Sequence, residues 1–202
     1  MHTYTLDPST IEKIHPARRR PNEASPHSSN IAQTKEDSIQ DHNDRMHGTR
    51  VYSDGSRLNN QIGAAAVLYR PNGSTRTLRY HLGSADQHTV YESEAVRLLL
   101  AANLILDKSD IDVPISIFVD NQAAIKSGDV FQTRSGHYLI DNFQATIRQA
   151  KAKHHLRSRN ITVRWIPGHS GIEGNEKADG KAKKASEGPM YNSETPHLPA
   201  LL

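Results

Sequence analysis

The spacing of hydrophobic residues changes several times along the chain, and each spacing predicts a different element of secondary structure. Three stretches near the middle are apolar or alternate with a period of two, as β-strands do. A Pro-Asn-Gly turn signal at residues 71–73 separates the second stretch from the third. The predicted strands are 50–53, 62–70 and 75–83. Because short connections join them, we expect an antiparallel meander.

After the meander the pattern alternates between helical and strand periods. We predict helices at 94–106, 123–125, 135–155 and from Asn175, which would cap the last one, and strands at 115–119 and 161–165. Strands joined by crossover helices pair in parallel. The predicted fold class is therefore α/β, with a five-stranded mixed sheet of three antiparallel strands and two crossover-connected strands, and helices on both faces.

Both ends of the chain differ in composition from the region between them. Residues 1–48 are polar, lack a sustained apolar period and have no aromatic residue after Tyr4, so we predict a disordered polar tail. The segment 187–202 contains three prolines and is predicted to be a flexible tail. The folded domain is predicted to span 49–186.

Composition narrows the classes of protein that the chain can represent. It has 202 residues, no cysteine and a formal net charge of +3. The lack of cysteine excludes a disulfide scaffold and a cysteine-based zinc site. We expect no signal peptide and no membrane span, and hence a protein of the nucleus or cytoplasm that is not secreted.

Four carboxylates lie in separate and distinctive settings. Asp54 and Asp120 each follow the apolar stretch of a predicted strand, and Glu94 and Asp179 lie in predicted helices. Ligand sites in open sheets with crossovers gather at the carboxyl ends of strands. Clustered carboxylates repel one another unless a cation lies between them, and hard oxygen ligands are those that Mg²⁺ or Mn²⁺ prefers.

Taken together, four motifs resemble type 1 ribonuclease H, and especially the domain carried by the non-LTR retrotransposon reverse transcriptases of fungi. The motifs are Tyr52 to Ser56, Thr89 to Glu94, Phe118 to Ala123 and Trp165 to Asp179. The resemblance covers roughly 49–186 and implies a ribonuclease H-like fold for the predicted α/β domain.

The resemblance also implies an endonuclease that hydrolyses the RNA strand of RNA–DNA hybrids with two Mg²⁺ ions, or alternatively Mn²⁺. It implies that Asp54 bridges both ions, that Glu94 and Asp120 hold the ion on the leaving-group side, and that Asp179 holds the ion on the nucleophile side. His169 matches the family's loop histidine, which would carry a proton or aid product release. Glu92 is the alternative to Glu94 as the metal ligand, and the family's spacing favours Glu94.

Substrate contacts are also implied by the resemblance. Ribose 2′-hydroxyl groups of a hybrid are recognised in the shallow minor groove by polar side chains and backbone amides. The matching residues are Gly55, Ser56, Asn59 or its neighbour Asn60, and Gln122, with Thr89 at a DNA-strand phosphate. Val90 and Tyr91 stand where cellular enzymes commonly carry two asparagines, and this pair matches the retrotransposon-type pattern.

Other interpretations remain open at this point. Integrases, transposases and resolvases share the general fold but act on DNA. The second alternative is that the chain is an inactive, retrotransposon-derived module that binds hybrids. A cationic cluster after residue 150 either contacts phosphates or is solvated. The expected partners are an RNA–DNA hybrid and a reverse transcriptase domain in a parent element, and we expect a monomer.

Overall fold

The computed structural model describes residues 23–127, 136–194 and 198. A six-stranded mixed sheet forms its centre, in the order β1-β6-β5-β2-β3-β4. The four strands at one side pair in parallel, and β2, β3 and β4 form an antiparallel meander. The strands are β1 (Ser28–Asn30), β2 (Thr49–Leu58), β3 (Gln61–Tyr69), β4 (Thr75–Ser84), β5 (Ile115–Val119) and β6 (Ile161–Trp165).

Five α-helices in the described part of the chain cover the two faces of the sheet. They are α1 (Lys35–Asn43), α2 (Val90–Leu106), α3 (Gln122–Ser127), α4 (His137–Lys153) and α5 (Glu173–Ser186). The larger apolar cluster joins one face to α2 and α4, and the smaller joins the other face to α5. The predicted mixed α/β fold is confirmed, with one more strand than expected. Among the described residues, no helix is both long and apolar enough to cross a membrane.

Neighbouring residues of β2 illustrate how the alternation of a strand builds both faces. Val51 belongs to the larger cluster, whereas the buried Tyr52 belongs to the smaller one and stacks on Phe118 with ring centroids 5.1 Å apart. Helix α5 lies so close to this ring that a Cβ at Gly174 would clash with the Tyr52 side chain. The glycine therefore sets the distance between α5 and the sheet.

The prediction of a disordered tail is wrong for residues 23–48. Strand β1 pairs in parallel with β6, and α1 begins after Thr34, whose side chain accepts a hydrogen bond from the Asp37 amide. Arg164 of β6 donates two hydrogen bonds to Asp41, at 2.6 and 2.8 Å. Asp41 and Arg164 are 123 residues apart along the chain, and a low apolar content does not reveal such a pairing. Residues 1–22 lie outside the described part.

The prediction of a flexible C-terminal tail is likewise wrong for residues 187–194. A single 3₁₀ turn at Pro189–Tyr191 leads the chain along the outer edge of β4. There the Ser193 amide donates to the Arg79 carbonyl at 2.9 Å, and the His81 amide donates to Asn192 Oδ1 at 2.6 Å. The segment thus covers an edge strand. Residues 195–197 and 199–202 lie outside the described part.

Two predicted helix starts also need correction. Helix α2 begins at Val90, because Thr89 and Glu92 form a capping box before the apolar face starts. Helix α5 begins at Glu173 after Ile172, so Asn175 lies inside the first turn with a buried side chain and is not the cap. The predicted start of α4 at residue 135 lies outside the described residues.

Candidate active site

Sheet register brings Asp54 and Asp120 side by side. The parallel pairing of β2 with β5 ends at Tyr52 and Phe118, and each aspartate lies two residues further along the chain. Asp120 directly follows β5, as expected. Asp54 remains inside β2, because its strand continues to pair with β3 at Ala65. The expectation that Asp54 follows its strand is therefore wrong, although the two carboxylates do meet.

A buried arginine, which the sequence analysis overlooked, connects three of the four predicted carboxylates. Arg97 of α2 is completely buried. Its Nη1 lies 2.6 Å from Asp120 Oδ1 and 3.5 Å from Asp54 Oδ1, and its Nη2 forms an ion pair with Glu94. Nη1 also donates to the Ser53 carbonyl at 3.0 Å. We call Asp54, Glu94 and Asp120 the inner carboxylates.

A signal for Arg97 is present in the sequence. It stands inside the otherwise apolar run from Val96 to Leu100, three residues after Glu94. Residues three apart share one face of a helix, so Glu94 and Arg97 project together from α2. A charged residue in a buried helical face requires a partner, because an unpaired buried charge is very costly.

Burial dominates the electrostatics of Asp54 and Glu94. It raises the pKa of Asp54 to about 7, with a further increase from the neighbouring Asp120 charge and an opposing decrease from Arg97. Burial also raises the pKa of Glu94 against the opposing influence of Arg97. In the folded protein, both groups therefore take up a proton more readily than free carboxylates do.

The fourth carboxylate, Asp179, is paired with a different cation. Lys183, one turn later on α5, lies 2.6 Å from Asp179 Oδ2 with 53% of its side chain exposed. This carboxylate raises the pKa of Lys183 through a hydrogen bond and its charge. The Asp179 charge also contributes to the raised pKa of Asp54, so the outer carboxylate lies within electrostatic range of the inner ones.

The structure assigns separate tasks to Glu92 and Glu94. Glu92 accepts hydrogen bonds from the Thr89 amide at 2.5 Å and the Thr89 hydroxyl at 3.0 Å, which fixes the first turn of α2. Glu94 faces Arg97 with the inner carboxylates. Thr89, predicted to contact a phosphate, is here the N-cap of α2.

The loop that carries His169 begins against Asp120. A Cβ at Gly168 would lie 3.2 Å from Asp120 Oδ2, and the Trp165 indole donates to the Asp120 carbonyl at 3.1 Å. His169 itself is exposed and adopts a left-handed φ of 52°. The His169 side chain is therefore in contact with solvent.

The predicted substrate contacts are divided between two places. The Gly55 amide donates to Asp54 Oδ1 at 2.8 Å, and the Ser56 carbonyl accepts from Ser186 at 3.2 Å, so both lie in β2 next to the site. Asn59 is exposed in the turn between β2 and β3. Gln122 begins α3, shortly after the end of β5. Their contacts with a nucleic acid stay predictions.

The cationic cluster after residue 150 is partly engaged within the protein. Lys151 Nζ donates to Ser158 at 2.7 Å, and Lys153 Nζ donates to the Leu106 carbonyl at 2.6 Å. Both amines thus serve to attach the end of α4 to its surroundings, which favours a structural role over phosphate contact.

The fit of a metal ion can be judged from the arrangement of the donors. Carboxylate oxygens are the correct ligand type for Mg²⁺. In residues 23–127 and 136–194, however, no three His, Asp or Glu side chains are placed to hold a metal ion. All three inner carboxylates point at a guanidinium instead. A divalent ion at this site would have to share the inner carboxylates with Arg97.

The mixed sheet, with acidic residues gathered beside the ends of two adjacent parallel strands, defines an α/β domain with an acidic site. The family model for RNase H matches residues 46–187. The chain belongs to the RNase H family.

Two solved structures of ribonuclease H proteins are similar to this chain. LC11-RNase H1, described in complex with an RNA/DNA hybrid, is 18% identical, with a TM-score of 0.50 over 69% of this chain and 96% of that one. RNase H1 from the halophilic archaeon Halobacterium salinarum NRC-1 is 17% identical, with a TM-score of 0.49 over 69% and 97%. No curated protein matches the chain.

Proposed function

We propose that this protein hydrolyses the RNA strand of RNA–DNA hybrids, with Mg²⁺ as its cofactor and Mn²⁺ as a substitute. The observation that carries the proposal is membership of the RNase H family across the whole acidic site. A structural neighbour described in complex with an RNA/DNA hybrid supports the choice of substrate. A two-ion mechanism remains part of the proposal.

In this proposal each carboxylate keeps the role that the resemblance implies. Asp54, Glu94, Asp120 and Asp179 would hold the ions, which supply an activated water and stabilise a leaving oxygen in such sites. His169, exposed on the loop that begins against Asp120, is proposed to carry a proton. Because the inner carboxylates face Arg97, we derive no individual step for the ions.

We also propose the biological setting that the resemblance implies. The domain would derive from a fungal non-LTR retrotransposon, in which a reverse transcriptase domain holds the hybrid. The domain itself would act as a monomer inside the cell. Gly55, Ser56, Asn59, Thr89 and Gln122 are the proposed contacts with the hybrid.

One observation favours a second candidate function, in which the chain binds hybrids without cutting them. The three inner carboxylates already have a cation in Arg97, so part of their charge is neutralised without any metal. Carboxylates that are neutralised by an arginine can keep their arrangement in a protein that has lost catalysis. The choice between the two functions rests on whether hybrid cleavage occurs.

Cleavage of a labelled RNA–DNA hybrid in Mg²⁺ tests the proposal, run beside single-stranded RNA, RNA duplex and DNA duplex. Asp120→Asn removes an inner carboxylate with little change in volume. Asp110→Asn, at an exposed aspartate, is the matched control. We expect cleavage of the hybrid alone, abolished by Asp120→Asn and unaffected by Asp110→Asn. Hybrid binding without cleavage by folded wild-type protein would establish the second candidate instead.

A further inference from the structure

We propose that Arg97 is an internal counter-ion that competes with divalent metal for the inner carboxylates. The wild-type chain would then fold without metal and bind Mg²⁺ or Mn²⁺ weakly at this site. The inference rests on the proposed function for the identity of the site as a metal site. It goes beyond that function by naming a residue of this chain that limits metal occupancy.

Arg97 already contacts the carboxylates that a metal ion would need. One guanidinium reaches a carboxylate oxygen of Asp54, of Glu94 and of Asp120. A divalent ion at the same oxygens would have to lie within a few ångströms of a permanent positive charge. Arginine keeps its charge in proteins, so it cannot relieve that repulsion by losing a proton.

Burial makes it costly to displace Arg97 from these carboxylates. The Arg97 side chain is completely enclosed, and its neighbours on α2 are Val96 and Leu98, both buried and apolar. A guanidinium displaced by metal would therefore lose its partners without reaching water. Removing one side of a buried ion pair is strongly unfavourable. Metal binding must overcome that loss as well as its own dehydration.

Lys183 provides a comparison within the same site. It also neutralises a predicted metal ligand, Asp179, yet over half of its side chain is exposed. An amine in this position can turn into solvent when a metal arrives, at little cost. Only the enclosed cation is expected to act as a barrier.

Manganese binding by the full chain tests the proposal, measured as the loss of free Mn²⁺ signal in electron paramagnetic resonance. The three proteins are wild type, Arg97→Met and the matched control Lys183→Met. We expect Arg97→Met to bind Mn²⁺ at least about tenfold more tightly than wild type, and Lys183→Met to stay within about threefold. Mn²⁺ should also raise the thermal midpoint of Arg97→Met but not that of wild type.

Equal Mn²⁺ affinity of wild type and Arg97→Met would overturn the proposal. Should Arg97→Met not fold without metal, Arg97→Gln takes its place, because it keeps a polar side chain without the charge. Tight Mn²⁺ binding by wild type that Asp120→Asn removes would overturn the proposal on its own. Because metal occupancy is the readout, a lack of hybrid cleavage in every variant would contradict only the proposed function.

Discussion

Two cations neutralise the acidic site, and they differ mainly in burial. Arg97 is enclosed and contacts the three inner carboxylates, whereas Lys183 lies on the surface and contacts Asp179. A surface pair contributes little to stability because water solvates both partners, while a buried charge depends on its partners. Knowing that each carboxylate has a cationic partner is therefore not enough to describe how the site responds to another cation. The exposure of the cation decides whether another cation can replace it.

The strongest test of this contrast removes the enclosed cation. Arg97→Met leaves three carboxylates without a counter-ion, so we expect a loss of about 3–5 kcal/mol in the free energy of unfolding without metal. Denaturant unfolding in the presence of a chelator measures it at pH 8. The loss should be smaller at pH 5, where the raised pKa of Asp54, about 7, lets that group become neutral. An unchanged free energy would mean that Arg97 is not the counter-ion.

The next test uses the titration of Asp54. Its folded pKa of about 7 exceeds that of an unfolded aspartate, so the stability it contributes is complete below the unfolded pKa and is lost as the pH rises through about 7. The amide introduced by Asp54→Asn cannot ionise. We expect this variant to gain about 4 kcal/mol relative to wild type between pH 4 and pH 8. Urea unfolding of both proteins at each pH gives the difference, and a constant difference would contradict the raised pKa.

A third test asks whether the exposed side of the site contributes to turnover. His169 is exposed on a loop that begins against Asp120. We expect His169→Ala to slow hybrid cleavage about 100-fold, the lower end of the effect of a group that aids proton transfer, and to leave the thermal midpoint unchanged. Single-turnover and steady-state rates in Mg²⁺ separate a slower chemical step from slower product release. A complete loss of activity would show a larger role than proton transfer.

The smallest effect is expected at the surface pair. Lys183→Met removes the partner of Asp179 but leaves that carboxylate in contact with solvent, so the loss should stay below about 0.5 kcal/mol. The same denaturant experiment used for Arg97→Met measures it. A loss comparable with that of Arg97→Met would remove the distinction between the enclosed and the exposed cation.

Strand periodicity was sufficient to predict much of the fold and part of the site. The apolar stretches of β2 and β5, each leading to an aspartate, placed Asp54 and Asp120 directly after the apolar parts of two strands of one sheet. The helical period likewise placed the buried face of α2. Arg97 was not found by these patterns, because its partners Asp54 and Asp120 are 43 and 23 residues away along the chain. Periodicity predicts which face is buried, but it does not show which charges meet there.

The N-terminal elements escaped prediction for a related reason. Strand β1 has only three residues, all polar, and α1 has no continuous apolar face. Their attachment depends on specific polar contacts, such as the hydrogen bond between His42 Nε2 and the Tyr52 hydroxyl at 2.8 Å. Such contacts depend on three-dimensional position and leave little trace in composition.

The pairing of β1 with β6 has a practical consequence for where the domain is cut. The family match begins at residue 46, yet the sheet continues to Ser28. A protein truncated at residue 46 would leave the outer side of β6 unpaired, and Arg164 would lose Asp41. Open edges of this kind recruit strands from other molecules. The shortest truncated protein that stays monomeric should therefore start before β1. A protein that starts after β1 should self-associate as its concentration rises.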